Sequence, residues 1–378
     1  MGWVALRMLI GNRAKFLGMV LGVTFAALLI AQQASIFCGL MLLTTSQIRD
    51  IQGADIWIMD PNVQFIDDIK PMAEVELYRA RGVKGVEWAV RLYKGLSRGR
   101  LADGTFQQII LIGLDDASMV GAPVEMILGT VSDLRRPDAI IMDEAGFQQL
   151  WPGEPLKIGK IFEMNDRRAQ IVGICKARHT FQTFPIVYTR YSQATRFAPY
   201  ERKMMSFILA NPQPGVSAHE ACRRITAQTG LLALTRDDFA WKTINYYMIK
   251  TGIPINFGIT VLLGFIVGTA IAGQTFYLFT IENIKQFGAL KAMGAGNLKL
   301  LGMIMLQATV VGWIGYSLGV GLAALFGHVT RHSPQLAFFM PWQVLAGTGV
   351  AVVLISVLAS LLSIRRVVFL EPAVVFQG

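Results

Sequence analysis

Charge is what this sequence has least of. Asp, Glu, Lys and Arg make up 16% of its 378 residues, against 53% hydrophobic residues. The shortage is concentrated: none of the four types occurs between Lys15 and Arg49, Lys250 and Glu282, Lys299 and Arg331, or Arg331 and Arg365. That distribution excludes an ordinary soluble protein. Cysteine is scarce as well. Cys38, Cys175 and Cys222 are the three present, and Cys175 and Cys222 are open to two states, a disulfide or two buried thiols. Metal-ligand spacing is lacking. His179 and His219 stand apart from any such pattern, and His328 and His332, four apart on one helical face, offer two ligands at most. A phosphate loop is lacking too. "GEPLKIGK" at 153–160 has one residue too many between its glycines, and Ile161 follows the lysine where Ser or Thr is needed. It reads as a turn entering a strand. No metal or cofactor is therefore expected on this chain.

The uncharged runs each hold a spanning helix of roughly 20 residues. They are placed near 17–46, 252–281, 299–327 and 339–364, the last starting properly at Pro341, since proline suits a first turn. The first run is too long for a signal-peptide core and no small-x-small site follows it, so it is read as a retained span. Outside residues 49–250 the basic residues are Arg7, Arg13, Lys15, Lys285, Lys291, Lys299, Arg331, Arg365 and Arg366. With four spans, all but Arg331 fall on one side, which is expected to be cytoplasmic, with both termini. The chain then divides into 1–48, a cytoplasmic start and first span; 49–250, an extracytoplasmic domain; and 251–378, three spans with a cytoplasmic segment 282–298 and a cytoplasmic tail. Residues 49–250 carry 26 basic and 23 acidic residues, so the net charge of +10 is largely a topology signal. No nucleic-acid footprint is present.

The external segment reads as mixed α and β. Strands are predicted at "ADIWIMD" (54–60), on both sides of the "ADG" turn at 102–104, at the start of "DAIIMDEAGFQQLW" (138–151), on both arms of a hairpin over 157–175 with "NDR" at its tip, in "FPIVYTRYSQATRFA", and before the two prolines of "SFILANPQPG". Helices are predicted over 70–82, after the strand in 138–151, after "FPIVYTR", and over 217–230, where Ser217 and Glu220 form a capping-box pattern. The adjacent acids Asp115–Asp116 and Asp143–Glu144 read as solvated turn carboxylates. No catalytic constellation emerges.

The spans contain no internal acid or base, which argues against a proton- or ion-coupled transporter and against a charged substrate crossing within this chain. Small residues recur at intervals of four: Gly18 and Gly22; Gly264, Gly268 and Ala272; Gly315 and Gly319. Each set lies on one face and permits close helix contact. The segment "ENIKQFGALKAMGAG" (282–296) is different. It favours a helix until Gly294 and mixes lysines with Phe287, Leu290 and Met293. Exposed, these apolar residues need a cover. Two covers fit: lipid headgroups or a groove on a partner.

This segment resembles the loop after the second span of the four-span MacB/FtsX-like permeases, also called type VII ABC transporter permeases. Glu282, Lys285, Phe287, Gly288, Leu290, Lys291, Ala292, Gly294 and Ala295 occupy the positions of that motif, while Asn283 and Gln286 stand where an Arg and a Glu are usual. The layout is similar throughout: a basic start "ALRMLIGNRAKFLGMVLGV", a large insertion between spans one and two, "GADIWIMDP", and a tail "RRVVFLEPAVVF". "GADIWIMDP" and "LKAMGA" are most similar to the DevC-like exporters, which work with a membrane-fusion adaptor. The resemblance implies a non-catalytic permease that pairs with a second copy of itself. A separate cytoplasmic ATPase would bind ATP and Mg and seat the 282–296 segment. A periplasmic adaptor and an outer-membrane channel would complete an efflux assembly for a hydrophobic or amphipathic substrate. The same family also implies an alternative, a cell-division type of signalling module that regulates an extracytoplasmic enzyme and moves nothing.

Overall fold

The structure, a computed structural model, describes residues 2–178, 180–198, 204–330 and 336–368. It divides into two compact units: residues 1–40 with 252–378, and residues 41–251. The chain opens with α1 (Gly2–Gly11) and α2 (Arg13–Thr44).

The second unit contains, in order, α3 (Ser46–Asp50), β1 (Ile56–Met59), α4 (Glu74–Arg81), β2 (Val86–Arg100), β3 (Phe106–Leu114), β4 (Glu125–Leu128), a 3-10 turn Val131–Arg135, β5 (Ala139–Asp143), α5 (Glu144–Leu150), β6 (Ile161–Met164), β7 (Arg167–Lys176), β8 (Ile186–Arg190), α6 (Tyr191–Phe197), β9 (Phe207–Pro212), α7 (Ala218–Thr229), β10 (Leu232–Thr235) and α8 (Arg236–Lys250). Among the described residues the strands form one mixed sheet in the order β10-β1-β9-β2-β3-β8-β5-β7-β4, with β6 paired to β2 and β7. The β3/β8 and β5/β7 pairs are parallel. Alternation along each strand feeds two cores, one on each face. In β1, Ile56 and Ile58 join one core, while Trp57 and Met59 join the other. That double burial is why "IWIM" is apolar at every position. Trp57 is fully buried, with Phe207 and Phe239 at 5.4 and 5.5 Å between ring centroids.

Turn chemistry follows the residues present. Asn165 and Asp166 both take positive φ, 50° and 57°, at the tip of the β6–β7 hairpin, the conformation a two-residue turn demands. Ser217 Oγ accepts the Glu220 N–H at 3.2 Å and caps α7. The Glu220 carboxylate holds Arg223 and Arg224. Cys175 and Cys222 are free thiols in the cores of opposite sheet faces. Burial, helped by the Asp238 charge, pushes the Cys222 thiol up to about 12.

Of the adjacent acids, Glu144 is exposed and Asp116 half-buried, while Asp115 and Asp143 differ from the solvated reading. Asp115 and Asp143 are buried, at 7% and 4% exposure. Asp115 accepts the Ser118 N–H at 3.1 Å. Asp143 accepts Gly146 N–H at 3.0 Å as the cap of α5, and Ile186 N–H at 2.6 Å at the start of β8. Sequence spacing missed this because each partner sits on another segment or in the next turn. Burial raises the Asp143 carboxyl from 3.8 to about 6. With the folded value above the unfolded one, the protonated group stabilises the fold fully below about pH 4. That contribution, on the order of 3 kcal/mol, is lost as pH rises through 6. We expect the Asp143 carboxyl carbon to titrate near pH 6 by NMR. A midpoint near 4 would contradict the burial argument.

The first unit resumes with α9 (Ile253–Glu282), α10 (Ile284–Ala292), α11 (Asn297–Thr330) and α12 (Trp342–Val368). Among the described residues four helices, α2, α9, α11 and α12, are long and apolar enough to cross a membrane. The α12 helix begins immediately after Pro341, whose carbonyl accepts Val344 N–H at 3.0 Å. Met19, Val23, Ala26, Ala27, Phe276 and Ile355 are among the residues of their common core.

Candidate functional site: the segment between the second and third spans

At the end of α9, Glu282 is fixed by the start of α2. Its carboxylate accepts Asn12 Nδ2–H at 2.9 Å and pairs with Lys15 Nζ at 3.3 Å. Both partners are partly solvated, so this tie contributes less than about 1 kcal/mol. Glu282→Gln should leave the melting temperature within a few degrees, which differential scanning fluorimetry would check. Asn283 is buried and folds back, its Nδ2–H donating to Phe279 O at 2.8 Å. It joins α9 to α10.

The apolar residues of α10 are not all outward, as the sequence suggests. Phe287 is fully buried in a small core with Ala5 of α1, Ala295, and Leu300, Met303 and Ile304 of α11. Gly288 is buried beside it, and Leu290 is half-buried against the same cluster. The cover for Phe287 is therefore this chain's own α1 together with the start of α11. Gln307 Nε2 donates to Ala5 O at 2.8 Å and fastens α1 to α11. Gly294 takes φ +92°, the left-handed conformation that glycine adopts freely, and turns the chain so that Ala295 packs inward. Lys285, Ala292 and Gly294 are exposed, and Lys291 is half-exposed. Two large apolar side chains remain outside: Met293 at 76% and Leu298 at 85% exposure. Leu298 was overlooked in sequence because it follows the motif and sits in the first turn of a long apolar helix. Its signal is position, one turn before α11 turns inward.

The glycine sets meet on α2. A Cβ at Gly22 would lie 2.8 Å from Ile271, and one at Gly18 would lie 3.5 Å from Thr275. From α9, Gly264 faces Leu29 and Gly268 faces Ala26. From α11, a Cβ at Gly315 would lie 2.7 Å from Val23, and one at Gly319 would lie 2.6 Å from Ala27 and 2.7 Å from the Thr24 carbonyl. The first span is thus gripped from two sides at glycine distance.

Residues 16–228 match the MacB-like periplasmic core domain, more than half of the chain, and residues 248–372 match the FtsX-like permease C-terminal model. The chain belongs to the MacB/FtsX-like permease family. Uncharacterized ABC transporter permeases of Mycobacterium bovis and Mycobacterium tuberculosis are 28% identical over 120 residues, 32% of this chain. The match spans 33% of the length of these relatives. Two solved structures are similar to about half of this chain. The extracellular domain of the noncanonic ABC-type transporter YknZ from Gram-positive bacteria is 16% identical, with TM-score 0.36, covering 48% of this chain and 98% of that one. The periplasmic region of MacB from Actinobacillus actinomycetemcomitans is 14% identical, with TM-score 0.37, covering 52% and 96%.

In this MacB/FtsX-like chain, no group of three or more metal-ligating side chains occurs among the described residues. His219 instead pairs with Asp238 at 3.3 Å. His179, His332 and the Glu-Pro-Ala of the tail lie outside the described residues. In the "GEPLKIGK" stretch, Lys160 pairs with Glu154 at 2.5 Å and lies over the Trp151 ring at 4.5 Å. A lysine engaged in that way is committed to its own loop. The arrangement offers two exposed apolar side chains, Met293 and Leu298, beside a small buried core.

Proposed function

We propose that this chain is the non-catalytic membrane subunit of an ABC transporter, working as a homodimer with a separate cytoplasmic ATPase that holds ATP and Mg. The observation that carries the reading is the exposed pair Met293 and Leu298, presented on a base made rigid by buried Phe287. Apolar side chains so exposed beside a membrane-spanning bundle call for a groove to enter. The anchor matters as much as the knob. Leu298 lies in the first turn of α11 itself, and a push on Met293 reaches α11 through Leu300 and Met303, and α1 through Ala5. Both termini would lie in the cytoplasm of a bacterial inner-membrane protein, and residues 41–251 on the other side.

The work done is proposed to be export of a hydrophobic or amphipathic molecule through movement of the external domain, with a membrane-fusion adaptor and an outer-membrane channel as further partners. The uncharged spans support this, since they offer no path for a charged solute. The test is reconstitution of the chain and its ATPase in vesicles. ATP-dependent movement of an amphipathic dye supports export. Brisk ATP turnover with no movement of any amphipath tried contradicts it.

A further inference from the structure

The two faces of α1 differ in kind. Ala5 and Leu9 are fully buried, Ala5 in the small core around Phe287 and Leu9 in the core of the spanning helices. On the opposite face, Trp3, Arg7 and Ile10 follow one another at helical spacing. All three are exposed, Trp3 at 66% and Ile10 at 59%.

The contact with α11 sets the level at which that face lies. Gln307 Nε2 donates to Ala5 O, and a Cβ at Gly2 would lie 3.3 Å from Leu306. Lys299 is the last charge before the uncharged run of α11. Gln307 stands about 12 Å along the helix from it, at roughly 1.5 Å per residue. The α1 helix is therefore held beside a membrane-length apolar run, near its end. Interfacial helices lie at a similar level, roughly 5–10 Å into the boundary between headgroups and acyl chains.

The charges on this side are open. Lys15 is paired with Glu282. Arg7 and Arg13 are exposed and form no ion pair among the described residues. Arg7 lies over the Trp3 ring at 4.2 Å, which holds the guanidinium beside the ring. Exposed Leu17 and Leu21 follow Arg13 in the first turns of α2. Tryptophan favours the membrane–water interface, and a guanidinium fork matches phosphate oxygens. Apolar surface and unpaired arginine meet their complements together in one layer, the headgroup region of an anionic membrane.

We propose that the outer face of α1 binds anionic phospholipid, with Trp3 and Ile10 among the first acyl carbons and the Arg7 and Arg13 guanidiniums on lipid phosphates. A protein groove is the less apt cover, since Leu9 of the same short helix already lies in the core of the spanning helices. The proposal rests on the membrane placement of the long helices and is independent of ATP coupling. Because α1 is part of the cover over Phe287, anionic lipid steadies the base of the 282–296 segment.

The test places the full chain in phosphatidylcholine nanodiscs, with and without phosphatidylglycerol, and follows backbone hydrogen exchange of residues 2–11. Two basic residues at an anionic surface strengthen binding about tenfold or more. Exchange is therefore expected to slow about fivefold or more with phosphatidylglycerol. Arg7→Gln with Arg13→Gln should remove that difference, and Arg7→Lys with Arg13→Lys should keep it. Equal exchange in the two lipids overturns the proposal, as does a difference that survives the paired Gln changes. Inorganic phosphate added to phosphatidylcholine discs should not reproduce the slowing. If it does, the arginines hold a free anion and the lipid proposal fails.

A second measurement identifies the contact. A photoreactive amino acid replaces Trp3 in native membranes, and adducts are read by mass spectrometry. Lipid adducts enriched in anionic headgroups, and reduced by the paired Gln changes, are expected. A dominant protein adduct would assign the face to a protein partner and overturn the proposal. Rapid exchange of the α9 amides in both kinds of nanodisc would overturn the membrane placement itself, and this proposal with it.

Discussion

Met293→Asp combined with Leu298→Asp will abolish stimulation of the partner ATPase while leaving the chain inserted and monodisperse. Both side chains are exposed, at 76% and 85%, so the isolated fold loses nothing by the change. Burying each in a partner is worth about 1.5–3 kcal/mol. Losing both, with two carboxylates placed in an apolar groove, should cost at least about 100-fold in affinity. Coupled ATPase assays at increasing subunit concentration read this directly. Phe287→Asp is expected to behave in the opposite way. It removes a fully buried ring from the Ala5–Leu300–Met303 cluster and leaves a charge where no partner stands. Deleting such a ring alone costs about 3–5 kcal/mol. The variant should therefore show a broken size-exclusion profile before any question of coupling arises. If Phe287→Asp remains folded and merely uncouples, the ring is a docking residue and the small core is not what holds the segment.

Gly319→Leu and Gly268→Leu will each destabilise the spanning bundle, whereas Gly321→Leu will not. At Gly319 the nearest atoms include the Thr24 carbonyl at 2.7 Å and the Leu28 amide at 2.8 Å. These are backbone, and they can yield only if α2 moves bodily. Gly268 meets Ala26 on the same helix. Gly321 has open space around it, on the same α11 as Gly319. Overpacking of this kind costs about 1–3 kcal/mol or more, a fall of roughly 5–10 °C in melting temperature for a unit of this size. Thermal scans in one detergent compare the three variants. Equal melting temperatures would mean that close approach to α2 contributes nothing.

Much of the fold was legible because the physics behind it is local. Absence of charge over membrane length marks a span wherever it occurs, so the four long helices were readable. The "ADG" turn separated β2 from β3, and Asn165–Asp166 marked the hairpin tip. What the sequence hid depends on distant partners. The α8 helix was unread, although Phe239, Ala240, Thr243 and Tyr247 are buried at helical spacing along it. Its start follows β10 with no break, and polar residues dilute its apolar face. Phe287 looked like an exposed residue because its cover is assembled from Ala5, far away in sequence, and from Leu300, Met303 and Ile304 of the following helix. Asp143 looked like a turn carboxylate because Ile186, its second donor, lies on another strand. The small-residue spacing displayed which faces were smooth, but only the three-dimensional packing shows that the sets on α9 and α11 meet α2 and that the set on α2 meets α9.

The measurement that bears most directly on the account is photo-cross-linking from position 298 in native membranes. A photoreactive amino acid replaces Leu298, the membranes are illuminated, and the adduct is identified by mass spectrometry. The account predicts one dominant protein adduct, an ATPase with a phosphate loop, lost when Met293 is replaced by Asp. Adducts to lipid alone, with no ATPase recovered, would make this segment a membrane-surface helix and contradict the coupling role.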